Sequence, residues 1–105
     1  MKLNALASEL KGWHEERFPL AEPTHVFIKA VEELGEVAKA LNAAEGKNYS
    51  SGTHEHLAEE VADVFICLLV LLRRYFPHIN IDVALLDKAD QLVDPRSDWN
   101  KARPR

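Results

Sequence analysis

Two short acidic stretches carry the residues best able to do chemistry: Glu32-Glu33-Leu34-Gly35-Glu36 and, about one helix later, Glu59-Glu60-Val61-Ala62-Asp63. Both read Glu-Glu-x-x-acid, and both lie inside strongly apolar helical patterns. At ~100° per residue, with Leu34 as the centre of an apolar stripe, Glu33 falls ~100° and Glu36 ~160° to the same side. With Val61 as centre, Glu60 and Asp63 repeat those offsets. Two such helices packed antiparallel through their stripes aim Glu33, Glu36, Glu60 and Asp63 into one shared space. Carboxylates so gathered repel one another unless a cation neutralises them. An all-oxygen set of this kind suits Mg²⁺ or Mn²⁺. The competing reading is a pair of acidic, solvated helix faces, but the doubled pattern beside the stripes, at matched offsets, favours a site.

Neighbouring residues add detail. Lys29 lies on the acidic flank one turn before Glu33, where it either reaches a phosphate or forms an i,i+4 ion pair. His56 occupies the equivalent place before Glu60. Gly35 costs ~1 kcal/mol relative to alanine inside a helix, so it implies either close approach of another group or simple tolerance. The glycines at 12, 35, 46 and 52 form no phosphate-binding P-loop. Cys67 sits in core-like sequence rather than beside a base. His54 and His56, two apart, point to different faces, and the Glu-x-x-His pair of di-iron bundles is missing from both acidic helices. Oxygen-held divalent metals then fit hydrolysis at phosphorus, where they bind phosphate oxygens and activate water.

The elements that must position these groups are helices. Leu3, Leu6, Ala7 and Leu10 start a first amphipathic helix over 3–17, broken by Phe18-Pro19 and Glu22-Pro23. A second spans roughly 25–43, capped by Thr24, with Phe27, Ala30, Val31, Leu34, Ala38 and Leu41 as its stripe. After a polar loop over 44–52, a third runs roughly 54–76, capped by Ser51 or Thr53. Its second half is apolar almost all round, which demands cover on every side and predicts a homo-oligomer. A fourth runs from Asn80 or Asp82 to Val93, before an irregular basic tail over 94–105. The expected fold is all-α, an antiparallel helical bundle of about four helices in one domain covering 1–105.

Composition narrows the class. Of the 105 residues 47% are apolar and 29% charged, and the net charge of -4 comes with no basic stripe, which argues against a nucleic-acid binder. The single cysteine precludes an internal disulfide and points to a reducing, cytoplasmic setting. The first residues lack the apolar core of a signal peptide. The longest apolar run, Val64–Leu72, has nine residues, far short of the ~20 a membrane span needs.

The arrangement Lys29-Ala-Val-Glu-Glu-Leu-Gly-Glu-Val-Ala followed by Glu59-Glu-Val-Ala-Asp-Val-Phe-Ile resembles the EExxE…ExxD signature of the MazG-like nucleoside triphosphate pyrophosphohydrolases, of the all-α NTP pyrophosphatase superfamily. The likeness covers roughly residues 3–92, including the leading Trp13-His-Glu-Glu-Arg17-Phe18 segment. It implies Mg²⁺-dependent hydrolysis of a nucleoside triphosphate to monophosphate and pyrophosphate, in dimers or tetramers. Carried over by position, Glu33, Glu36, Glu60 and Asp63 would be the metal ligands and Glu32 an auxiliary, water-orienting residue. Glu59 is extra. Lys29 would contact phosphate and Trp13 would stack on the base, although a helix-end aromatic also suits a core. Lys88, Asn100, Lys101 and Arg103 have the residue types that hold phosphates in relatives, without an alignable spacing. The nearest rivals inside the superfamily are the dUTP-type and phosphoribosyl-ATP-type enzymes. Outside it, the rival is a non-catalytic helical oligomerisation module with a structural cation site.

Overall fold

The structure, a computed structural model, describes residues 2–46 and 53–96. Four helices hold these residues: α1 (Leu3–Arg17), α2 (Pro23–Ala44), α3 (His54–Tyr75) and α4 (Ile81–Val93). No strand occurs among the described residues, and no helix among them is long and apolar enough to cross a membrane. Of the tail, only 94–96 lie within the described residues.

The boundaries follow local chemistry. The second helix begins earlier than the Thr24 cap predicts, because Pro23 occupies its first position and Glu22 is the cap. Proline suits that position, where its missing N–H would have had no helical partner. The side chain of Thr53 accepts from the backbone N–H of His56 at 3.0 Å to start α3. Asn80 caps α4 in the same way, accepting from Val83 at 3.1 Å. Phe76-Pro77 stops α3 as expected.

α3 is the central element, packed against α2 and against α1, while α4 rests on α1. Ala7, Leu69 and Ile81 form a small core with Leu3, Leu10, Leu72 and Ile79 packed against it. The buried face of α2 departs from the expected stripe. Val26, Ala30 and Ala40 are buried, with Glu33 and Val37 half-buried between them, a 4-3-4-3 spacing that marks one helical face. Phe27, Val31, Leu34 and Leu41 instead remain 45–57% exposed. Alanines at 30 and 40 stand on the line that is buried, and the larger apolar residues Phe27, Leu34 and Leu41 stand off it. Gly35 is likewise in the open, where an added Cβ would meet nothing within 4 Å. The expectation of a close approach at Gly35 fails within the chain, and simple tolerance accounts for it.

One polar knot joins the ends of α1, α3 and α4. The side-chain oxygen of Asn4 accepts from Arg73 Nη2 at 2.6 Å and from the backbone N–H of Ile81 at 2.9 Å, while its Nδ2 donates to Asn80 at 2.8 Å. Asp82 adds a bond from the N–H of Leu3 at 2.8 Å. Asn4→Ala strands a partly buried N–H and a guanidinium, so the expected cost is about 2 kcal/mol in urea unfolding.

Candidate metal centre and adjoining cavity

On α2, Glu33 sits in the line of residues facing α3, between Ala30 and Val37. On α3, Glu60 and Asp63 face back across the contact. Ligand atoms of Glu33, Glu60 and Asp63 lie within 4.8 Å of one another. The side chains of Glu33 and Glu60 are only 15% and 16% exposed, whereas Asp63 is exposed at the rim. Glu33 and Glu60 thus stand within the interhelical contact, not on its flank as the stripe centred on Leu34 implied, and Asp63 stands at its rim.

The other expected residues are distributed around this group. Glu36 is exposed and outside the 4.8 Å grouping, because three residues on from Glu33 it lies ~60° further round the helix. Glu32 and Glu59 are exposed too. Lys29 Nζ stands 3.1 Å from Glu33 and 3.9 Å from Glu32, so one ammonium contacts a cluster acid and the auxiliary candidate together. The hydrogen bond to Glu33, then the charge of Glu33, push Lys29 above its ordinary value, and it stays charged. His56 Nε2 is 3.6 Å from Glu60. Three carboxylates, two of them largely withdrawn from water, are the residues that could hold a cation here. Cys67 lies nearby, but burial first, and then Glu33, push its thiol up. It lines the wall of the adjoining cavity.

A cavity of about 530 Å³ opens beside the acids, with Lys29, Glu33 and Asp63 on its wall. Its base is apolar, formed by Val26, Ile66, Cys67 and Val70. Its far end is aromatic, formed by Trp13, His14, Phe18 and His25. His25 and Glu33 are eight residues apart on α2, so the two ends are separated by ~12 Å along that helix. Trp13 meets Phe18 edge-on at 6.1 Å, and His14 lies 5.2 Å from Phe18.

Arg74 fastens this aromatic end to α3. Its Nη1 is 2.7 Å from His14 Nδ1 and donates to the carbonyl of Phe18 at 2.9 Å, while Nη2 donates to that of Pro19 at 3.1 Å. The guanidinium carbon also lies 5.2 Å from the centre of the Tyr75 ring, and Tyr75 Oη donates to the carbonyl of Ala21 at 2.5 Å. Trp13 lines the cavity. His14, Phe18, His25 and Cys67 are lining residues that sequence reasoning did not select. The nearest sequence signal was the Arg73-Arg74 pair that ends the apolar second half of α3.

Burial first, then the Arg74 charge, hold His14 below the ordinary imidazole value of 6.5, with Glu15 opposing. A lowered pKa means the unfolded chain binds the proton more readily. The contribution of His14 is therefore in place above the ordinary value and lost as pH falls toward its lower folded value. Stability should decline through that acid window, and His14→Phe should flatten the decline in urea midpoints measured across it.

Comparison with protein-family models, curated proteins and solved structures finds no match to this chain.

Proposed function

We propose that this chain is a Mg²⁺-dependent nucleoside triphosphate pyrophosphohydrolase of the MazG-like kind. In this reading α2 and α3 form an antiparallel hairpin, and the cytoplasmic protein acts as a homo-oligomer. The observation that carries the reading is the convergence of Glu33, Glu60 and Asp63 from two helices, with Glu33 and Asp63 on the wall of a cavity that has an aromatic far end. Its volume of about 530 Å³ falls within the ~300–1,000 Å³ of small-molecule sites. A charged triphosphate belongs at the acidic end only with a cation between them, and a flat base belongs between rings.

Glu33, Glu60 and Asp63 would hold the metal, with Glu36 as a further ligand if its side chain swings inward. Bound there, Mg²⁺ supplies neutralisation of the triphosphate and lowers the pKa of water. Lys29 leaves its ion pair to contact a phosphate oxygen. Glu32, released by that move, accepts a proton from the attacking water. Water adds to the α-phosphorus, the α–β bridging bond breaks, and pyrophosphate departs in line. Trp13 stacks on the base and fixes the α-phosphorus at the acidic end.

The second reading, a helical module with a structural cation, draws on the exposure of Glu36 and Glu32, which the enzyme needs close at hand. A panel of NTPs and dNTPs with Mg²⁺, coupled to inorganic pyrophosphatase and phosphate detection, separates the two. Turnover that requires the coupling enzyme supports pyrophosphate release. No turnover on any nucleotide leaves the module.

A further inference from the structure

The aromatic end of the cavity has an unusual hydrogen-bonding character, and its cause is visible residue by residue. A guanidinium has donors and no acceptor. The 2.7 Å contact of Arg74 Nη1 with His14 Nδ1 therefore requires a lone pair on Nδ1, and neutral His14 carries its proton on Nε2. His25 is fixed in the same sense by a different device. Its Nδ1 accepts from the backbone N–H of Glu22 at 3.4 Å as part of the α2 cap, leaving Nε2 as its N–H. Trp13 has one polar side-chain atom, a donor. Protonation of either histidine keeps its Nε2–H, so neither becomes an acceptor.

The backbone carbonyls at this end each already accept at least one hydrogen bond. The carbonyl of Phe18 accepts from Arg74 and from the N–H of Ala21, that of Ala21 accepts from Tyr75, and that of His14 accepts from Phe18. The carboxylates of Glu33 and Asp63 lie at the opposite end, in the acidic group. This end of the cavity is thus lined by the side-chain donors of His14, His25 and Trp13, with no side-chain acceptor among these three residues.

We infer that the cavity selects bases with a carbonyl oxygen opposite the sugar, the uracil, thymine or hypoxanthine type, over bases with an exocyclic amino group there. Arg74 is the positioning residue that makes His14 a donor. This rests on the nucleotide reading and specifies its substrate class. A carbonyl pairs with Nε2–H, whereas an amino group sets donor against donor and loses its hydrogen bonds to water.

The test uses α,β-imido-dUTP and α,β-imido-dCTP, which resist cleavage at that bond, titrated calorimetrically into the full chain with Mg²⁺. The expected result is tighter binding of the uracil analogue by roughly tenfold or more. His14→Gln, whose amide also offers an acceptor, should move that ratio toward one. Equal binding, or tighter binding of the cytosine analogue, overturns the inference while leaving the hydrolase reading standing. Binding of neither removes both. An independent readout is the long-range ¹H–¹⁵N spectrum of the unliganded protein at neutral pH, in which His14 should show a pyridine-type Nδ1 and a protonated Nε2. Arg74→Met should mix the tautomers and Arg74→Lys should restore the pattern. A protonated Nδ1 in the native protein overturns the role given to Arg74 whether or not any nucleotide binds.

Discussion

Asp63→Asn is expected to make the metal-free protein more stable and to abolish its response to Mg²⁺. The two effects have one cause. Glu33 has Lys29 at 3.1 Å and Glu60 has His56 at 3.6 Å, but Asp63 has no ion-pair partner among the described residues. Neutralising Asp63 removes repulsion from the group without breaking a pair, so the melting temperature in EDTA should rise by roughly 4 °C. Mg²⁺ at ~100 times its dissociation constant stabilises a binding protein by about 2.7 kcal/mol, and Asn at 63 should forfeit most of that gain. Turnover should fall by about 100-fold or more, since a metal supplies several kcal/mol of charge stabilisation to such a reaction. Calorimetric scans with EDTA and with Mg²⁺, beside the coupled phosphate assay, read all three quantities. An unchanged Mg²⁺ response would sink the assignment of the cation site. Glu36→Gln in the same scans reports whether that exposed side chain joins the cation. A loss as large as that of Asp63→Asn makes it a fourth ligand, and a small one leaves three.

The helices were legible because the sequence punctuates them with prolines. Pro19, Pro23 and Pro77 interrupt three apolar patterns, and Thr53 and Asn80 are side chains that cap. The rotation of α2 was less legible, because its buried face is marked by two valines, two alanines and one acid. A search for large apolar residues finds Phe27, Val31 and Leu34 first, and these face away from α3. The doubled acidic motif survived this error. The offset between its acids does not depend on which stripe is taken as centre, so Glu33, Glu60 and Asp63 still meet. Only the setting changed: Glu33 and Glu60 moved from the edge of the interhelical contact into it, with Asp63 at its rim. His14 and Arg74 were out of reach for a different reason. They lie 60 residues apart in sequence, and neither has a periodic partner that would announce the contact.

The outward face of α2 leads to the second large effect: Val31→Asp combined with Phe65→Asp should reduce the protein to a poorly folded monomer. The described chain buries only seven apolar residues, none larger than leucine. Its radius of gyration is 16.8 Å, where a compact domain of this length would have ~13 Å. Phe27, Val31, Leu34 and Leu41 on α2 are matched by Phe65 and Leu68 on α3, at 62% and 38% exposure. In the antiparallel hairpin proposed above, equal rotation from the contact line would place both rows on the side of the layer away from the acids and from α1. Covering what these six side chains still expose contributes on the order of 5 kcal/mol per subunit. That is comparable with the ~5–15 kcal/mol stability of a whole domain, so association and folding should be coupled. Sedimentation velocity should find the wild type as a dimer or larger, with a urea midpoint that rises with protein concentration. The double variant should sediment at monomer mass and lose its cooperative transition. A wild type that is monomeric at every concentration, with an invariant midpoint, would refute the coupling. The acidic group faces the other way, so oligomerisation of this kind would support the cation site through the stability of α2 and α3 and leave its mouth open to substrate.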